Sequence, residues 1–365
     1  MRILKNYVTN SQIYFMLIMT LTTVAALNLP KVAAESAGRG GWVPIIITSI
    51  FFAFFVTIIT SLNNMHQGKP LFDYSQKIVG KFLGKAIAVF YLIYFFNIMI
   101  FLKVQLTHFL KSDFLLKTPT WATLLVGIPI FCAIAYKGIT GIARFFQVIA
   151  VFYILAALFV HITMLTQGVK HEIFPLFRAS EIPRYIAATK DIVFSFLGIE
   201  ILTYIPFSHK NGKKASASAF AAVLSVGIFY ALIVISSISV MGVDNIQYYN
   251  FAMTEAIKIV DNPLFERFDF LYLTIGLSGL IGGLSVVYLS TAEYACKLFP
   301  GVKRIVIVII IGILVAALTL TAMRIKTYTK IFDELVVYAG LVAAVIIPSL
   351  LYLIAKVRSR AKKTY

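Results

Sequence analysis

Only two cysteines occur in 365 residues, and 15 acidic side chains stand against 33 lysines and arginines. Cys132 and Cys296 both fall within apolar runs, so they offer neither a disulfide framework nor a metal-binding pattern, and small apolar packing accounts for them. The chain carries no GxxxxGK[ST] phosphate loop and no HExxH helix, which excludes ATP-driven transport by this chain alone and zinc-peptidase chemistry. Charged residues make up 13% of it, against about 25% in an ordinary soluble domain. That is too little charge to cover a water-facing surface. No stretch between the apolar runs is long enough for a folded soluble domain. The expectation is therefore a chain that is not an enzyme, with no catalytic residue, no cofactor and no metal.

What is present in abundance is hydrocarbon. Sixty per cent of the residues are hydrophobic and the mean hydropathy is +0.90. Apolar runs recur along the whole chain, each near the roughly 20 residues a helix needs to cross a bilayer. The pattern predicts an all-α polytopic membrane protein, residues 1–365 forming a single integral membrane domain. Ten spans are expected, at about 11–34, 42–62, 83–110, 120–137, 142–166, 187–208, 217–241, 270–296, 304–323 and 334–356. The first superficially resembles a signal peptide with a small-residue site near Val32-Ala33-Ala34. Its apolar run is long for that purpose and nine spans follow, so it is read as retained.

The formal charge of +18 is explained by its placement. With the N-terminus inside, Arg2, Lys5, Lys69, Lys77, Lys81, Lys85, Arg144, Lys213, Lys214, Lys303, Arg304 and the Arg358–Lys363 cluster lie on the cytoplasmic side, where Asp73 is the acid assigned. The other side mixes signs, with Glu172, Glu181, Asp191, Asp244 and Glu255 among its acids. This asymmetry is the positive-inside pattern and predicts that both termini are cytoplasmic. The basic excess suits anionic lipid headgroups rather than nucleic acid.

Ten spans divide into two sets of five, about 11–166 and 187–356, and an odd number per set inverts the second relative to the first. In such folds an interrupted span at matching positions of the two halves points to the binding site. The sequence offers one at the start of each. TLTTVAALNLPKVAAE carries Pro30, which lacks a backbone donor, beside Thr22, Thr23, Ala25 and Ala26. FSFLGIEILTYIP carries Gly198 next to Glu200, with Pro206 beyond. Main chain freed at such breaks is tolerated only where it faces protein, water or a ligand.

Several stretches resemble the B subunits of spore germinant receptors: LNLPKVAAESAGRGGWV in the first span, DYSQKIVGKFLGKAIAVFY leading into the third, FLGIE in the sixth and NPLFERFDFLYLTIGL entering the eighth. The resemblance covers essentially the whole chain in order. It departs at Gly276-Leu277, where many relatives carry a tryptophan. It implies the LeuT-type five-plus-five fold of amino acid–polyamine–organocation permeases, with broken first and sixth helices. It further implies a subunit that recognises a small nutrient, often an amino acid, beside an A subunit and a lipoprotein C subunit in the inner spore membrane.

Three roles compete for Glu200: hydrogen bonding to main chain freed at the break, pairing with a ligand ammonium, and proton coupling. An ionisable residue inside a span is a functional candidate by default. A pocket between the two breaks offers positive half-helix ends to a carboxylate and free carbonyls to an ammonium, so a zwitterionic amino acid fits both. The candidate ligand-binding residues are Thr23, Ala25, Ala26, Phe196, Gly198, Ile199 and Glu200, with Asn97 and Phe101, four residues apart on one face of the third span. Lys103 is expected to snorkel to the interface and His161 to make a helix contact. Glu293 is expected to pair with Lys297 one turn on. Gly276, Gly279, Gly282 and Gly283 are read as a close-packing face. Three activities remain open on these residues: a nutrient-sensing receptor subunit, a proton- or sodium-coupled amino-acid permease, and a passive water or ion path.

Overall fold

Helices make up almost all of the computed structural model, which describes residues 7–22, 25–124, 138–207, 212–260 and 268–361. Among the described residues seven helices are long and apolar enough to cross a membrane: Trp42–Met65, Lys81–Ser112, Ile139–Gln167, Gly212–Met241, Tyr272–Leu298, Arg304–Arg324 and Glu334–Ser359. They correspond to the expected second, third, fifth, seventh, eighth, ninth and tenth spans. Most of the expected fourth span, Cys132 included, lies outside the described residues. The chain is thus a multi-pass membrane protein.

The first and sixth spans are broken. The first is a pair of helices, Asn10–Thr22 and Ala25–Ala37, bent by 57°. The sequence points to Pro30 as the cause of this interruption, and that needs correction. The bend falls between Thr22 and Ala25, whereas Pro30 sits buried inside the second helix. Its effect there is local: with no N–H at position 30, the Ala26 carbonyl lacks its helical donor. The sixth span is a helix over Ile182–Ile192, a tighter 3₁₀ turn over Val193–Phe196, an extended Leu197, and a second 3₁₀ segment over Ile199–Thr203. Gly198 makes the reversal possible at φ 129°, a region open essentially to glycine alone.

The first and last described stretches of the chain gather on one face, called here the terminal face. The Val8 amide donates to the Pro206 carbonyl at 3.1 Å, and the Arg358 guanidinium donates to the Lys77 carbonyl at 3.4 Å. On this terminal face a short amphipathic helix, Leu71–Val79, joins the second and third spans. Here the expected Glu293–Lys297 pair is replaced by two longer-range ones. Lys297 meets Asp73 at 2.8 Å and Glu293 meets Arg304 at 2.6 Å, because the chain turns after the eighth span and brings the head of the ninth back to Glu293.

Close packing between spans follows the small residues. A Cβ at Gly282 would collide with the Phe146 ring, so the eighth span lies directly on the fifth. Lys103 departs from expectation. It is buried and donates to the Leu124 carbonyl at 3.1 Å, at the start of the next span, instead of reaching the interface. His161 is a helix contact, fully buried with Nδ1 2.8 Å from the Ser236 hydroxyl of the seventh span.

Candidate functional site

The two breaks lie side by side. A Cβ built on Gly198 would sit 3.1 Å from the Leu21 side chain and 3.4 Å from that of Thr20, both at the end of the first half-helix. A helix that stops leaves carbonyls without donors, and buried carbonyls of this kind need partners. Thr22 turns its hydroxyl back to the Ile18 carbonyl at 2.7 Å. The Tyr230 hydroxyl, from the seventh span, lies 2.5 Å from the Leu21 carbonyl and 3.1 Å from the Ser195 carbonyl. One side chain therefore ties the loose end of the first span to the loose end of the sixth.

Glu200 stands at the centre of the second break, with 1% of its surface exposed. One carboxylate oxygen accepts from the Tyr94 hydroxyl of the third span at 2.6 Å, and the other accepts from the Gly198 amide at 2.8 Å. The acid caps main chain that the break sets free and clamps it to a neighbouring span. Each oxygen of an ionised carboxylate has a second acceptor position, so this structural use does not exhaust the group. Below Glu200, Thr203 donates to the Glu200 carbonyl at 2.6 Å. Asn63 of the second span donates to the Leu202 carbonyl at 2.6 Å and accepts from Tyr74 at 2.5 Å. The inner half of the sixth span is thereby fixed to the short helix on the terminal face.

The sequence-derived candidates divide in this setting. Gly198 and Glu200 form the break itself. Ala25 and Ala26 are buried at the start of the second half-helix, across from it. Phe196 is fully buried between Phe52, stacked at 5.8 Å, and Tyr230, edge-on at 5.5 Å. Ile199 is likewise buried in the core. Phe101 packs edge-on against Phe194 at 5.1 Å, a turn above the break. Asn97 turns its amide onto the Ile93 carbonyl of its own helix at 2.7 Å. Thr23 lies outside the described residues. The residues that sequence reasoning passed over are tyrosines. Tyr94 shares a helix face with Phe101, seven residues on, and that spacing was the available signal; Tyr230 had none, because nineteen tyrosines look alike in a string.

Comparison with known proteins agrees with this geometry. The family described as "Spore germination protein" matches residues 7–327. The chain is 24% identical over 364 residues to spore germination protein YndE of Bacillus subtilis (strain 168), covering 98% of each chain. It is 28% identical over 287 residues to spore germination protein B2 of the same organism, covering 75% of each. Among solved structures, MhsT in complex with L-phenylalanine superposes with a TM-score of 0.62 at 14% identity, over 96% of this chain and 89% of that one. The expected LeuT-type fold is therefore the one observed. Two adjacent broken helices on that fold, and a family match over most of its length, establish that the chain belongs to the spore germination protein family.

Proposed function

We propose that this chain is the B-type subunit of a spore nutrient germinant receptor. It binds a small nutrient, with amino acids as the first class to test, between the broken first and sixth spans. It passes the resulting shift to an A subunit and a lipoprotein C subunit in the inner spore membrane, with the terminal face towards the cytoplasm. The observation that carries this proposal is the meeting of the two breaks around Glu200, whose carboxylate is a counter-charge for an ammonium, while the N-terminal end of the half-helix that begins at Ala25 suits a carboxylate. A ligand shifts the bundle only through unequal affinity for its two arrangements.

Coupled amino-acid permeation is the second proposal, supported by the fold shared with MhsT, which was solved holding L-phenylalanine; fold alone does not choose between sensing and transport. The test is the purified chain in liposomes, assayed for equilibrium binding and for uptake of labelled amino acids. Binding without uptake, and co-purification of two partner membrane proteins from native membranes, is the expected outcome. Sustained uptake by this chain alone would make it a permease. Water flux without solute uptake would point to a passive path.

A further inference from the structure

In transporters built on broken helices, carbonyls freed at the breaks commonly hold a coupling sodium ion. An ion at the corresponding place in this chain would need those carbonyls open to it. The Leu21 carbonyl belongs to the last turn of the first half-helix, and the Ser195 carbonyl to the 3₁₀ turn that precedes the sixth-span break. Both accept from one atom, the Tyr230 hydroxyl, at 2.5 Å and 3.1 Å. Two carbonyl dipoles that converge in this way repel each other unless something positive lies between them. Here that is the single phenolic hydrogen, shared unequally, with the shorter contact to Leu21.

Packing holds the phenol in this position. Tyr230 is fully buried, and its ring meets Phe196 edge-on at 5.5 Å. Its helix, Gly212–Met241, lies hard against the second span, since a Cβ on Gly227 would come within 2.4 Å of Ser49. The Ser225 hydroxyl of the same helix is 3.0 Å from the Tyr14 hydroxyl, so the seventh span grips the first half-helix at two heights. The Glu200 oxygens are turned to Tyr94 and to the Gly198 amide. A cation bridging the Leu21 and Ser195 carbonyls would compete with a fixed phenol that already bridges them.

We propose that a sodium ion does not fit between the breaks of this chain and that the Tyr230 hydroxyl takes its place. Tyr230 is then the positioning residue that holds the two freed carbonyls together for ligand binding, with no cation required. The inference rests on the breaks being the ligand site, as proposed above, and adds that binding there is independent of sodium. Under the permease reading it disfavours sodium as the coupling ion.

The test compares the purified full-length chain in sodium chloride and in choline chloride of equal ionic strength. Thermal unfolding is followed in both salts, together with equilibrium binding of L-alanine, L-leucine and L-phenylalanine. The wild type should melt at the same temperature and bind equally well in the two salts. Tyr230→Phe keeps the ring and loses the hydroxyl, so it should melt lower and bind about tenfold more weakly in both. Tyr230→Ser removes the ring and opens the space between the carbonyls to an ion. In that variant sodium should raise the melting temperature and tighten amino-acid binding about tenfold. A tyrosine that merely filled space would not leave a sodium response behind on its removal. Sodium-dependent melting or binding in the wild type would overturn the inference. So would a Tyr230→Phe variant that behaves as wild type, or a folded Tyr230→Ser variant indifferent to sodium. Should Tyr230→Ser fail to fold in either salt, the wild type and Tyr230→Phe decide. If none of the amino acids binds to any of the chains, melting still decides the role of Tyr230, and the assignment of amino acids as ligand is what fails.

Discussion

Glu200 accepts one hydrogen bond on each oxygen, from a hydroxyl and from a backbone amide, and the two donors respond differently to substitution. In Glu200→Gln the amide oxygen can stay on the Gly198 N–H. The new NH₂ then faces the Tyr94 hydroxyl, which can reverse its role and accept. The fold should therefore persist, with stability changed by about 1 kcal/mol or less, while the negative charge is gone. The expected result is a well-expressed variant with an impaired nutrient response, read from dose–response curves; an unchanged curve would remove Glu200 from the binding residues. Gly198 is the contrasting case. A side chain there meets φ 129° and the Leu21 methyl at 3.1 Å, and strain at such a backbone position costs about 1–3 kcal/mol before any clash. Gly198→Leu should reduce both the yield of folded protein and its melting temperature in detergent. Wild-type melting would mean that the break is not tight.

At the scale of elements, the tenth span shows how a break in one helix is mended by another. Between Lys326–Leu341 and Ile347–Ala361 the helix widens into a π-turn over Val342–Ile346, in which the Ile347 amide bonds back to the Val342 carbonyl. On this i+5 pattern the next carbonyl, Ala343, would take its donor from position 348, which is proline and has none. The Tyr91 hydroxyl of the third span donates to it instead, at 2.6 Å. Tyr91→Phe should cost about 1–3 kcal/mol by stranding a buried carbonyl. Pro348→Ala restores an N–H at that place, so the tyrosine change should cost measurably less in the Pro348→Ala background. Equal losses in the two backgrounds, measured by thermal unfolding, would show that the hydroxyl does not stand in for the missing amide. The same logic of substitution recurs at the first and sixth spans, where Tyr230 serves two freed carbonyls. Broken helices here are held by phenols from intact ones.

For the whole molecule, orientation is the property that charge placement governs. The terminal face carries Lys77, Lys297, Arg304 and Arg358, and the opposite face carries mixed charges, among them Lys190, Asp191 and Glu334. In a background free of Cys132 and Cys296, Tyr248→Cys, a position 85% exposed, should react with an impermeant thiol reagent in intact cells. Lys77→Cys, at the terminal face, should react only after the membrane is opened. The reverse pattern would overturn the positive-inside assignment and with it the direction from which a nutrient reaches the breaks.

Apolar length, the bias of lysine and arginine, and the Gly-Ile-Glu interruption are local properties of the string. Seven of the ten expected spans, the expected orientation and the position of the sixth-span break could accordingly be written down from sequence alone. The first-span break was legible as an event but not as a place, since Pro30 drew attention into the half-helix beyond the bend. Partners were not legible at all. Tyr94 meets Glu200 across 106 positions, Lys297 reaches past its neighbour on the helix to Asp73, and Asn97, polar and well placed by spacing, turns back on its own backbone. Spacing along a helix fixes which residues share a face, but which face meets which neighbour depends on how distant spans pack. Only the tertiary structure decided that the acid at the break is held by the Tyr94 hydroxyl of the third span and by the Gly198 amide of its own.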